Sequence, residues 1–160
     1  MTRSLFALTL TTFALLFAAC GGGSNETPAT STAPAPAPVQ AAAYPSIDFD
    51  KLAFLWDNAT YMDATFYNLP ISINQSNLDQ IRSTIATVAE APMTIKPGCT
   101  PTGHIWFQVN GKNVEEADLY FQPGCTGYVW YEEGKPARSN ELTEGGVNFY
   151  QNIVNSVPKQ

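Results

Sequence analysis

Three short runs decide the fold: Gly103-His-Ile-Trp-Phe-Gln-Val109, Ala117-Asp-Leu-Tyr-Phe-Gln122 and Tyr128-Val-Trp-Tyr-Glu132. In the first, Ile105, Phe107 and Val109 alternate with His104, Trp106 and Gln108. In the second, Ala117, Leu119 and Phe121 alternate with Asp118, Tyr120 and Gln122. In the third, Val129 and Tyr131 alternate with Tyr128, Trp130 and Glu132. Period-two alternation marks half-buried strands, and the Asn110-Gly111 and Pro123-Gly124 pairs between them are turn signals. A three-stranded antiparallel meander is expected.

Outward from the meander the period changes to that of a helix. Phe49, Leu52, Leu55, Trp56, Ala59, Met62 and Phe66 recur at three- and four-residue spacing, predicting a helix over 48–68 that closes before Pro70. A second helix is predicted from Asn77 to about Glu90, with Leu78, Ile81, Ile85 and Val88 on one face and Ser76 with Asp79 as a capping pair. Thr143 caps a last helix from Glu144 to about Val157, turning Val147, Tyr150, Val154 and Val157 inward. The expected class is α+β: two N-terminal helices, a three-stranded antiparallel β-meander and a C-terminal helix.

Pairing the first two strands by their apolar faces sets Phe107 against Ala117 and Ile105 against Leu119. The same register sets Cys99 against Cys125. Directly opposed residues in an antiparallel pair lie within disulfide range, so a Cys99–Cys125 bridge is expected. Pro101 and Pro123 cannot donate to a ladder, so the pairing there is frayed.

The N-terminus reads as an address. Met1-Thr2-Arg3 carries one positive charge, and an apolar run from Leu5 to Ala19 follows. At about 15 residues it is too short to span a bilayer and suits the core of a signal peptide. It ends Phe17-Ala18-Ala19-Cys20, which looks like a lipobox with Phe where Leu is usual. Residues 1–19 are thus expected to be removed and Cys20 to take the acyl chains, diacylglyceryl and palmitate-type. Two or more chains anchor stably where one does not. Residues 20–43, rich in Gly, Pro, Ala and Thr, read as a tether in which Pro34, Pro36 and Pro38 favour extended chain. Residues 44–160 remain as one domain large enough to bury a core. Gly21 after the cysteine lacks the aspartate of inner-membrane retention, so the outer membrane is the expected location, on either side of it.

Of 8 basic and 14 acidic residues only Arg3 falls in the removed segment, so the remainder carries a formal charge of about −7. That balance argues against nucleic acid as a partner and against lying on anionic headgroups, because both need cationic clusters. An even pair of cysteines after Cys20 fits an oxidising compartment.

With Cys99, Pro101, Gly103, Ile105 and Phe107, then Asn110-Gly111-Lys112, Ala117-Asp118, Gly124-Cys125 and Gly146 with Phe149, the stretch from about 93 to 155 resembles a pattern of small envelope lipoproteins of the Bacteroidetes with a two-cysteine α+β domain. The resemblance implies the lipoprotein anchor and the paired cysteines, and it implies no activity.

Chemistry-bearing residues are few. The single histidine, His104, excludes a two-histidine metal site, and no phosphate loop, nucleophile elbow or EF-hand spacing occurs. No metal, cofactor or catalytic residue is assigned. In the register above His104 faces Tyr120 with Asp118 diagonal to it, and no serine or threonine stands by as nucleophile. Glu115, Glu116, Asp118, Glu132 and Glu133 crowd two adjacent strands, but a glycosidase needs two carboxylates at a set separation in a cleft. A loose calcium site there is equally unspecific. The second face of the meander carries His104, Trp106, Tyr120, Tyr128 and Trp130, beside Gln108, Asp118 and Gln122. Aromatic planes flanked by amides and acids can stack on sugar rings or anchor a protein; alternatively a helix covers this face and the aromatics are core. The expected function is a lipid-anchored, non-catalytic binding module for a glycan or an envelope protein. The alternatives are a structural or accessory subunit of an envelope complex and, third, a small hydrolase.

Overall fold

In the computed structural model, which describes residues 41–157, the meander is part of a larger sheet. Strand β1 is Ala42–Ala43, helix α1 is Phe49–Asn58, and strands β2 and β3 are Tyr61–Phe66 and Ser72–Gln75. Helix α2 (Leu78–Ile85) and strand β4 (Thr94–Ile95) precede four consecutive strands: β5 Gly103–Val109, β6 Lys112–Gln122, β7 Cys125–Glu132 and β8 Lys135–Glu141. Helix α3, Glu144–Ser156, is the last described element. A six-stranded antiparallel sheet runs in the order β3-β2-β5-β6-β7-β8, and β1 pairs with β4 in a separate two-stranded sheet. The signal segment 1–19, Cys20 and most of the tether lie outside the described residues. The last tether residues, Ala42 and Ala43, form β1.

The expected three-stranded α+β meander is therefore corrected to a mostly β domain with three helices among the described residues. The helix predicted over 48–68 stops at Asn58, where Ala59 turns extended at φ −64°, ψ 126°. Beyond it Met62, Ala64 and Phe66 are buried and the residues between them less so, a strand period that also satisfies the spacing 59-62-66. Helix α2 ends at Ile85, capped at its start by Asn77, whose side chain accepts from the Asp79 and Gln80 amides. Strand β8, Lys-Pro-Ala-Arg-Ser-Asn-Glu, has no apolar alternation to announce it. Thr143 caps α3 as expected, accepting from the Gly146 amide at 3.1 Å.

Two-residue turns set the parity of every hairpin in the meander. Asn110-Gly111 and Glu133-Gly134 have positive φ at both residues, the condition of the type I′ turn that matches strand twist. The register is Ile105 with Ala117 and Gly103 with Leu119, two residues from the expected pairing, with an irregularity between Phe107 and Gln108. Cys99 and Cys125 are bridged all the same, with Cα atoms 6.2 Å apart. Cys99 stands in the turn before β5, its amide bonded to the Lys96 carbonyl, and reaches β7 from there.

All three helices bury their apolar faces against one side of the sheet. Leu55, Ile81, Ile85 and Tyr150 pack with Met62, Phe66, Ile105, Phe107, Ala117, Leu119, Tyr128 and Trp130. Polar groups in this core are paired, because an unpaired buried group costs about 1–3 kcal/mol. Asn140 accepts from Trp130 Nε1 and from the Ile47 amide, both at 3.1 Å, and donates to the Ala89 carbonyl at 2.8 Å. The Tyr128 hydroxyl bridges Thr87 Oγ1 at 2.8 Å and the Tyr150 hydroxyl at 2.6 Å. Burial pushes the Tyr128 phenol up to about 12. No described helix is long and apolar enough to cross a membrane.

Candidate functional site

The opposite face of the sheet carries a second, smaller core at one end only. There Met93, Ile95, Tyr44 and Cys99 cover Tyr120, Cys125 and Val129. Gly127 allows this close approach, since a side chain on it would meet Met93 Sδ and the Asn140 carbonyl. Beyond this cover the registers lay two rows of side chains across the face. Asp63, Trp106 and Glu116 are direct cross-strand neighbours on β2, β5 and β6; Thr65, His104 and Asp118 form the next row.

Within these rows Asp118 is the hub. His104 Nδ1 lies 2.8 Å from Asp118 Oδ1, the Tyr131 hydroxyl donates to Oδ2 at 2.7 Å, and the Tyr67 hydroxyl donates to Oδ1 at 3.5 Å. Burial pushes the Asp118 carboxyl up, but the hydrogen bonds from His104 and Tyr131 outweigh it and hold the group below its ordinary value. The Tyr131 phenol moves the other way, raised by burial and by its bond to the carboxylate. The imidazole packs on Trp106 with ring centroids 4.4 Å apart. Its Nε2 has no hydrogen-bond partner and essentially no accessible surface, with Glu116 Oε2 3.5 Å away. One imidazole nitrogen is thus engaged by Asp118 and the other is covered.

The five aromatics expected on one face divide between two. His104, Trp106 and Tyr120 stand on the outer face, with Tyr120 already beneath the small core. Tyr128 and Trp130 are 1% exposed in the main core. The reason is the Pro123-Gly124 turn: with two residues in the loop Gln122 opposes Cys125, so Ala117 opposes Trp130 and Leu119 opposes Tyr128. Tyr128 and Trp130 thus share the helical side. His104 likewise opposes Asp118 directly, where Tyr120 was expected. The same parity brings in Tyr131, and pairing with β2 brings in Asp63 and Tyr67, none of which was expected at the site. The turn length was a readable signal for Tyr131; nothing local marked the β2 residues.

A second exposed feature lies on the helical side. Phe49 is 80% exposed and Trp56 41%. With Leu52, Ala53, Ile85 and Ala86 they line an open groove of about 350 Å³ between α1 and the end of α2. The Arg82 guanidinium lies 5.4 Å from the Trp56 ring and Nε bonds the Trp56 carbonyl at 3.0 Å.

No protein-family model, curated protein or solved structure matches the chain.

Proposed function

We propose that this chain is a lipid-anchored envelope protein, acylated at Cys20 on the outer membrane, whose outer sheet face is a non-catalytic binding surface for an envelope component. The observation that carries the reading is the face itself: no described helix packs on the Asp63-Trp106-Glu116 row, and Trp106 lies 4.4 Å, between ring centroids, from an imidazole fixed by Asp118. Ordered aromatic area beside fixed polar groups is what a recognition surface needs, because little side-chain freedom is then lost on binding. The covered Nε2 of His104 argues against a hydrolase. Palmitate labelling that disappears in Cys20→Ser tests the anchor. For the face, a photocrosslinking residue placed at Thr65, exposed between Asp63 and Tyr67, is expected to trap an envelope component in living cells. Loss of that product in Trp106→Ala, with an unchanged melting temperature, supports the surface.

A second reading is an accessory subunit that docks through α1, and the exposure of Phe49 favours it. The same crosslinker at Phe49 separates the two. Products from Phe49 alone would sink the sheet-face reading.

A further inference from the structure

The charges of this domain are segregated by face. On the helical side the strand carboxylates Glu115 and Glu132 have cations: Lys51 lies 3.1 Å from both, and Arg138 is within 3.5 Å of Glu132 and of Asp48. On the outer face Asp63, Glu116 and Asp118 meet no lysine or arginine among the described residues; His104 is the only basic group that Glu116 and Asp118 touch. Asp63 is bonded only by the Asn74 amide, at 2.6 Å, which leaves its charge in place. Between Asp63 and Glu116 stands Trp106, half-buried and directly paired with both in register. An indole flanked on both sides by carboxylates attracts a cation twice, through the ring quadrupole and through the paired negative charges.

We propose that this unpartnered sheet face docks a lysine- or arginine-bearing extended segment of a protein partner, with one cation seated over Trp106 between Asp63 and Glu116. The inference rests on the reading of this face as a binding surface and names its ligand class. Asp63 and Glu116 lie two strand spacings or about 10 Å apart, so one ammonium over Trp106 is attracted by both acids without contacting both, and a segment with more than one basic residue satisfies the pair better. A polypeptide with basic residues at alternate positions supplies cations at about 7 Å intervals along a strand.

The test uses the full chain in a neutral detergent. A fluorescent, end-blocked peptide of four Lys-Ser repeats is titrated by anisotropy, with the Trp106 indole N–H followed by NMR. A Gln-Ser peptide of the same length and a neutral N-acetylated chitin hexasaccharide are the comparison probes. Saturable binding of the Lys-Ser peptide, weakened at least tenfold in Asp63→Asn/Glu116→Gln and unchanged in Asp50→Asn/Asp57→Asn on α1, supports the proposal. Equal weakening by the two double variants overturns it, because the attraction is then net charge alone. A Trp106 indole that shifts with the sugar or the Gln-Ser peptide and not with Lys-Ser also overturns it, while leaving the face a binding surface. No shift with any probe removes both.

Discussion

Reducing the Cys99–Cys125 bridge should destabilise the domain by about 3.5 kcal/mol. The bridge joins residues 26 apart in sequence, and the chain-entropy model assigns about that much to a closed loop of roughly 27 residues. For a domain of ordinary stability, ~5–15 kcal/mol, the loss is substantial but does not unfold the protein. Urea unfolding of the oxidised chain and of the reduced, alkylated chain measures it. With a slope near 2 kcal/mol per molar for a domain of this size, the midpoint should fall by about 1.8 M. The structure also says where the loss is felt. The bridge ties the segment carrying Met93, Ile95 and Cys99 onto Tyr120, Cys125 and Val129, whereas the helical core lies on the other side of the sheet. Hydrogen exchange after reduction should therefore rise first at Ala42, Ala43, Thr94 and Ile95, whose pairing is two residues long. A midpoint shift under about 0.5 M would refute the loop-entropy reasoning. Loss of protection at Ile105 and Ala117 as early as at Thr94 would refute the assignment of the bridge to the outer cover.

Asn140→Leu leaves Trp130 Nε1, the Ile47 amide and the Ala89 carbonyl without their partner; thermal denaturation should show a loss of about 3 kcal/mol or more. Asp118 has a depressed carboxyl, so its contribution is present above the ordinary aspartate value of 3.8 and lost as pH falls through its lower native value. Wild type should therefore exceed Asp118→Asn by about 2 kcal/mol at pH 7 and lose that lead in the range below pH 4; a difference that is flat with pH would show that the carboxylate is not the cause. Glu133 holds φ 52° in the β7–β8 turn, where Asn is tolerated better, and Glu133→Asn should raise stability by about 0.5–1 kcal/mol in the same assay.

How far the fold could be read from the chain depended on where its information lies. The meander strands β5 to β7 announced themselves because one face is apolar and the turns between them carry Gly or Pro. Helix α3 did so because Thr143 and a 3–4 spacing agree. Strand β2 was hidden by coincidence: Met62 and Phe66 are four apart, which suits one helical face and equally one face of a strand. Its pairing with β5 spans more than thirty residues of chain, and such non-local pairing leaves no local trace. Strand β8 was hidden for a different reason. Its core-side residue is Asn140, an amide that satisfies three partners instead of an apolar side chain, and Ser139 on its other side is fully buried by bonds to the Tyr44 and Met93 carbonyls. A strand whose inward groups are polar and satisfied has no hydrophobic period to detect.

The candidate site was legible in kind and misplaced in membership, for one reason of parity. His104, Trp106 and Asp118 share one face, as their alternation implies, because β5 and β6 alternate cleanly and a register slip of two residues leaves faces unchanged. Tyr128 and Trp130 were misassigned because an even-odd choice, unlike a slip of two, exchanges the faces of a whole strand. The physics of the two faces explains why the parity matters. The helical side needs large apolar area, and Trp130 with Tyr128 supply it while their polar atoms reach Asn140 and Thr87. The outer side keeps Trp106, which lies between two carboxylates and so gains little from being sealed by an apolar helix, since closing it would bury Asp63 and Glu116 without cations. The acids thus select against an apolar cover: a group closing over Trp106 would have to bring positive charge or leave water in place.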